Sequence, residues 1–178
     1  MSDNPTGHSA PPLAAEVTID LVAGRHPNGE TIVERLLVNP LKTQATFQLL
    51  RSPVFVRGIA RGDVIQQLQK PQGAFKMVQH GGNLCIRVFS KMPFDSDRLE
   101  PLAQGLTAEI EKLGGDLDVS EPQVRVYSIH VSCGFAAVEK ILESQLAGCD
   151  DVAWVYGNVY DPETGEPLNW WQAILSPE

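Results

Sequence analysis

The hydrophobic period of this chain changes once, and that change limits what it can fold into. From Glu16 to Ser90 apolar residues alternate with polar ones in short runs; beyond Arg98 two longer runs repeat every three or four residues. In EVTIDLVAG (16–24), Val17, Ile19 and Leu21 alternate with Thr18 and Asp20, the pattern of a half-buried strand. Asn28-Gly29 follows, a hairpin signal because both residues tolerate positive φ. TIVERLLVNPL returns as a second strand that Asn39-Pro40 stops. Further strands are expected in ATFQLLRS, with VFVRGIA as a short continuation, and then in DVIQQLQK, AFKMVQH and LCIRVFS. Turns at Gly62-Asp63, Lys70-Pro71-Gln72-Gly73 and Gly81-Gly82-Asn83 separate them. Five or six short strands at this spacing predict a small β-barrel-like sheet over 16–83.

The second half reads differently. Leu99, Leu102, Leu106, Ile110 and Leu113 share one face of a helix, with Asp95, Ser96 and Asp97 as candidate N-caps and Gly114-Gly115 as the stop. Pro101 must then fall in the first turn. Phe135, Val138, Ile141, Leu142 and Leu146 mark a second amphipathic helix ending near Gly148. LCIRVFS, GDLDV, QVRVYSIHVS and VAWVYGNVYD supply strands around these helices, in the order strand, helix, strand, strand, helix, strand. That is the order of a ferredoxin-like, or split β-α-β, sandwich, expected over 84–161. The fold class is therefore α+β. A Pro- and Ser-rich disordered tail is expected at 1–15, and a C-terminal arm at 162–178 with one apolar helical turn around Trp170 and Trp171.

Charge is uneven. Residues 1–90 hold nine Lys/Arg and six Asp/Glu, whereas residues 91–178 hold five and sixteen. The acidic half repels nucleic acid and favours a cationic partner. The basic half has no clustered Lys/Arg stripe of the kind phosphate binding needs, so no nucleic acid is expected. No run of apolar residues spans a membrane, and the N-terminus has neither the basic start nor the apolar core of a signal peptide; the expected place is the cytoplasm. Cys85, Cys133 and Cys149 are odd in number and far apart, which predicts free thiols. His8, His26, His80 and His130 are scattered, so no metal site and no cofactor is expected. Nucleophile elbows, phosphate loops and dinucleotide fingerprints are absent from the sequence.

Gly58, Ala60, Gly62, Asp63 and Val64, followed by Val78, Gly82, Asn83, Arg87 and Val88, form a G-x-A-x-G-D turn and a second glycine-marked strand entry. Over roughly residues 45–160 this pattern resembles an uncharacterised bacterial domain-of-unknown-function family. Some of its members resemble small proteins encoded near bacterial toxins, so the resemblance implies an immunity-like or regulatory partner-binding role.

Two candidate sites follow. Arg57, Arg61, Asp63, His80, Asn83 and Arg87 are expected to meet at one rim of the barrel-like sheet, where Asp63 and His80 within reach would form an acid–base pair. Arg61-Gly62-Asp63 matches a cell-adhesion tripeptide only by coincidence in such a protein. Trp154, Tyr156, Tyr160, Trp170 and Trp171 are expected to form an aromatic surface on the acidic half. The expected function is a non-catalytic module binding a protein partner, cationic by charge, with homodimerisation through strand edges as a further route. The alternatives are a small-molecule sensor, or an enzyme using Asp63 and His80.

Overall fold

The computed structural model describes residues 16–177; the expected disordered tail at 1–15 lies outside them. The protein is mixed α+β, with two antiparallel sheets and few helices. Strands β1 (Val17–Arg25), β2 (Thr31–Pro40), β3 (Thr46–Leu49), β4 (Val64–Gln67) and β5 (Phe75–Gln79) pair in sequence order as an antiparallel meander. The first turn forms where Asn28-Gly29 predicts it, with Gly29 at φ 89° and Asn28 Oδ1 accepting the Glu30 N–H at 3.0 Å. Ile19, Leu21, Leu36, Val38, Leu49 and Ile65 bury one face of this sheet.

The sheet is open, which corrects the barrel-like expectation. Strands β1 and β2 run nine and ten residues, but β3, β4 and β5 only four, four and five. β2 meets β3 at only three positions, Val38, Asn39 and Pro40. Closure needs strands of matched length and stagger, and these do not match. A single backbone hydrogen bond, Val22 N–H to Gly73 C=O at 2.9 Å, ties the β1 edge to the β4–β5 turn.

Strands β6 (Asn83–Ser90), β7 (Asp116–Glu121), β8 (Val124–His130) and β9 (Val152–Tyr156) form the second sheet in the order β7-β8-β6-β9, antiparallel throughout. Helices α1 (Glu100–Lys112) and α2 (Phe135–Leu146) cover one face. Ala103, Leu106 and Ile110 of α1, and Val138 and Leu142 of α2, pack against Leu84, Ile86, Val88, Tyr127 and Ile129. Each Leu, Ile or Val side chain among them contributes roughly 1.5–3 kcal/mol by leaving water. Pro101 sits in the first turn of α1, where it removes no helical hydrogen bond. The N-cap is Leu99 with no side-chain cap, so Asp95, Ser96 and Asp97 do not serve; Leu113, past the last turn, is exposed rather than inward. The opposite face of this sheet, at Cys85 and Val126, lies under Ala60 and Val54 of the segment joining β3 to β4. No helix among the described residues is long and apolar enough to cross a membrane.

VFVRGIA is not a strand. Its Val56 and Ile59 reach the core of the five-stranded sheet, but its peptide groups are held by side chains instead of a ladder. This segment joins the two sheets.

Candidate functional site

The Gly62-Asp63 corner shows why the glycines stand where they do. Gly62 has φ 87°, and a Cβ added to Gly81 would fall 2.5 Å from the Gly62 backbone. The two loops touch with no room for side chains between them. Asp63 locks that contact. Its Oδ2 accepts the Ala60 N–H at 2.9 Å and its Oδ1 accepts the Gly81 N–H at 2.7 Å, with the residue 1% exposed. The Arg-Gly-Asp tripeptide is thus a structural corner with its aspartate buried. His80 Nδ1 is buried, lies 3.6 Å from Asp63 Oδ2, and has no hydrogen-bond partner among the described residues. That distance is beyond hydrogen-bond range. Asn83 Nδ2 donates to the Arg61 carbonyl at 2.8 Å, closing the same corner.

The Arg61 side chain leaves this corner for β7, pairing with Asp116 at 3.0 Å and Asp118 at 3.1 Å. Asp118 also accepts from the Ser52 N–H at 2.7 Å and from Ser128 Oγ. Burial pushes the Asp118 carboxyl above the ordinary carboxylate range, against the pull of these bonds. The cluster joins segment 51–62 to the second sheet.

The expected aromatic surface is mostly partly buried: Trp154, Tyr156 and Trp171 are half-buried, Trp170 is buried and Tyr160 is exposed. Trp154, Tyr156, Phe135, Trp171, Trp170 and His80 form one run of six rings, each 5.0–5.7 Å from the next. Trp170 is 9% exposed, donates Nε1–H to the Asn158 carbonyl at 2.7 Å, and stacks on His80. Tyr156 Oη donates to Glu139 at 3.1 Å. Burial, and then the Glu139 charge, raise this phenol above the usual tyrosine range. The arm, including helix α3 (Trp171–Leu175), therefore packs on the body. Of the five expected aromatic residues, only Tyr160 is exposed.

Arg57 and Arg87 belong elsewhere. Arg87, 5% exposed, donates Nε–H to the Pro53 carbonyl at 3.2 Å, Nη1–H to Phe55 at 3.4 Å, and Nη2–H to Val56. Glu34 of β2 accepts the N–H groups of Val54, Phe55 and Val56 at 2.7, 2.9 and 2.9 Å. In a planar trans peptide the C=O and N–H point opposite ways. The Pro53–Val54 and Phe55–Val56 peptides therefore turn their carbonyls to the guanidinium and their N–H groups to the carboxylate. One backbone strand is gripped from both sides by opposite charges that never touch.

Beside this grip lies an open groove of about 390 Å³. Its floor is the β6–β9 face, where Arg87 and Val155 are cross-strand partners and Phe89 follows. Phe55 and Arg57 form one wall, and Tyr160, Asp161 and Pro162 the other. Gly157 sits between the walls; a Cβ there would fall 2.8 Å from Arg87 Nε. Phe55, Tyr160 and Val155 are 54%, 52% and 50% exposed. The six residues expected at one rim thus divide: Asp63, His80 and Asn83 share the glycine corner, Arg61 turns to β7, and Arg57 and Arg87 line the groove. Phe55, Val155 and Glu34 were not expected. Among the described residues no three His, Cys, Asp or Glu side chains converge as metal ligands would.

Residues 34–150 match the family model described as Domain of unknown function (DUF4265). The chain belongs to this family. The DUF4265 stretch carries Glu34, Phe55, Arg57, Asp63, His80 and Arg87, whereas Val155, Tyr160 and Trp170 lie beyond it. A crystal structure titled as that of a hypothetical protein from Neisseria gonorrhoeae is similar in fold, with a TM-score of 0.60 at 15% identity over 82% of this chain and 96% of that one. No curated protein matches.

Proposed function

We propose that this DUF4265 protein is a non-catalytic docking module for another protein, and that the groove between Phe55 and Tyr160 is where the partner binds. One observation carries the reading: three large apolar side chains, each about half exposed, surround a single groove instead of being scattered. Contiguous apolar surface rimmed by charge marks interaction sites. The groove is flanked by β9, an edge strand that pairs only with β6, so an extended segment has a strand edge to lie against.

The glycine corner supports a structural role for Asp63 and His80. Both Asp63 oxygens already hold backbone N–H groups, and one face of the imidazole lies on Trp170. An acid–base pair needs a hydrogen bond and room for a substrate, and neither residue lines the groove.

The strand order β7-β8-β6-β9 with two helices on one face supports a split β-α-β sandwich over 84–161, with the meander of 16–83 as its companion and 162–178 as an arm folded onto it.

Affinity capture from native lysate tests the function. The tagged protein is compared with Phe55→Asp/Tyr160→Asp and with His80→Ala. A stoichiometric partner lost in the first variant and kept in the second is expected. A partner kept by the groove variant and lost by His80→Ala would move the site to the glycine corner.

A further inference from the structure

The docking groove is positively charged inside an acidic protein, and that sets what can enter it. The whole chain carries a formal net charge of −8. Within the groove Arg57 and Arg87 face one carboxylate, Asp161. That carboxylate is already engaged: its Oδ1 accepts the Glu163 and Thr164 N–H groups, both at 2.8 Å, and they hold its pKa below the ordinary range. Arg87 is buried, yet its hydrogen bonds run only to neutral carbonyls. Glu34 lies across the gripped backbone on the other side. Neither Arg57 nor Arg87 has a carboxylate within 4.0 Å among the described residues. A guanidinium has five N–H donors, and Arg87, which lines the groove, spends three of them on carbonyls that carry no charge. A buried cation without an anion is costly, and an arriving carboxylate offsets that with charge-assisted bonds.

We propose that the groove recognises an acidic side chain, so that the partner presents an extended segment with a Glu or Asp carboxylate between apolar residues. The carboxylate meets Arg57 and Arg87, and its apolar neighbours cover Phe55, Val155 and Tyr160. The inference rests on the docking reading above and adds the chemistry of the occupant. It reverses the cationic partner expected from the charge of the acidic half: the local charge of the groove opposes the net charge of the chain.

Two blocked tripeptides test it against the full ¹⁵N-labelled chain. Acetyl-Val-Glu-Phe-amide and its Gln counterpart are titrated while amide shifts are followed. The Glu peptide is expected to bind about tenfold more tightly, a gap of one charge-assisted bond, and to move the signals of Val155, Gly157 and Tyr160. Arg57→Gln, on an exposed wall, is expected to close the gap without unfolding the protein, and added salt to narrow it. Phe55→Asp is expected to weaken both peptides. Equal binding of the two peptides to the native chain overturns the carboxylate inference and leaves the docking reading standing. Groove signals that stay still with both peptides overturn the two together.

Discussion

The glycine corner and the groove are joined by two consecutive residues, and they are built on opposite terms. Gly157 floors the groove, while Asn158 ties the corner: its Oδ1 accepts the Cys85 N–H at 2.9 Å, its Nδ2 donates to Asn83 at 2.8 Å, and its carbonyl takes the Trp170 indole. At the corner Asp63, Asn83 and Asn158 are matched within the protein while His80 Nδ1 has no partner, and the aromatic rings cover one another. At the groove apolar side chains are half exposed and positive charge is unmatched. Residue type in a sequence therefore points to an open site less well than the exposure and charge balance that the fold gives each residue. Asp63 and His80 have the residue types of a catalytic pair, yet they hold a turn and an arm.

Substitutions on the two sides should separate stability from binding. Trp170→Ala removes the ring between His80 and Trp171, and it should lower unfolding stability by about 3–5 kcal/mol, as for other large buried aromatics. Urea titration gives the value, and hydrogen exchange should show residues 160–175 losing protection first. A loss below about 1 kcal/mol would mean that the arm is not anchored there. Asp63→Ala leaves the Ala60 and Gly81 N–H groups without their acceptor, with an expected loss of about 3 kcal/mol in the same titration. Phe55→Asp should change stability by within about 0.5 kcal/mol, since the side chain is exposed, while abolishing partner capture. If Phe55→Asp destabilises as Asp63→Ala does, the contrast between the regions fails.

The smallest effect is a titration. A phenol raised above its normal range in the folded state favours the protonated form. Its contribution to stability is thus full below the unfolded tyrosine pKa and is lost as pH rises through the folded value. Absorbance at alkaline pH should show Tyr156 ionising above ordinary tyrosine, and Tyr156→Phe should delete that step. Glu139→Gln should bring the step down, because the nearby negative charge is the next cause after burial.

Much of the fold was legible in the sequence because it rests on local signals. Asn28-Gly29 gave its hairpin, Pro101 fell in the first turn of α1, and the two helical stripes became α1 and α2. That the first sheet stays open was not legible, since closure depends on strand lengths that pairing decides: ATFQLLRS supplies only four ladder residues. VFVRGIA misled because a side-chain grip from Glu34 and Arg87, distant in sequence, replaced the ladder its valines suggested. The site was legible in part. Arg57, Arg87 and Tyr160 were singled out, but as members of two different sites that the fold then merged. Val155 had a signal in the alternation of VAWVY, which puts it on the face opposite Trp154 and Tyr156. Phe55 carried no such signal, because its exposure follows from a loop held by the distant Glu34 and Arg87 side chains.

The most direct test places a photo-crosslinking amino acid at Val155 on the groove floor and, separately, at Val78 on β5, each half exposed in the native chain. If the groove is the docking site, position 155 crosslinks one discrete protein, Phe55→Asp removes that product, and position 78 yields none. A product at position 78 with silence at 155 would contradict the account.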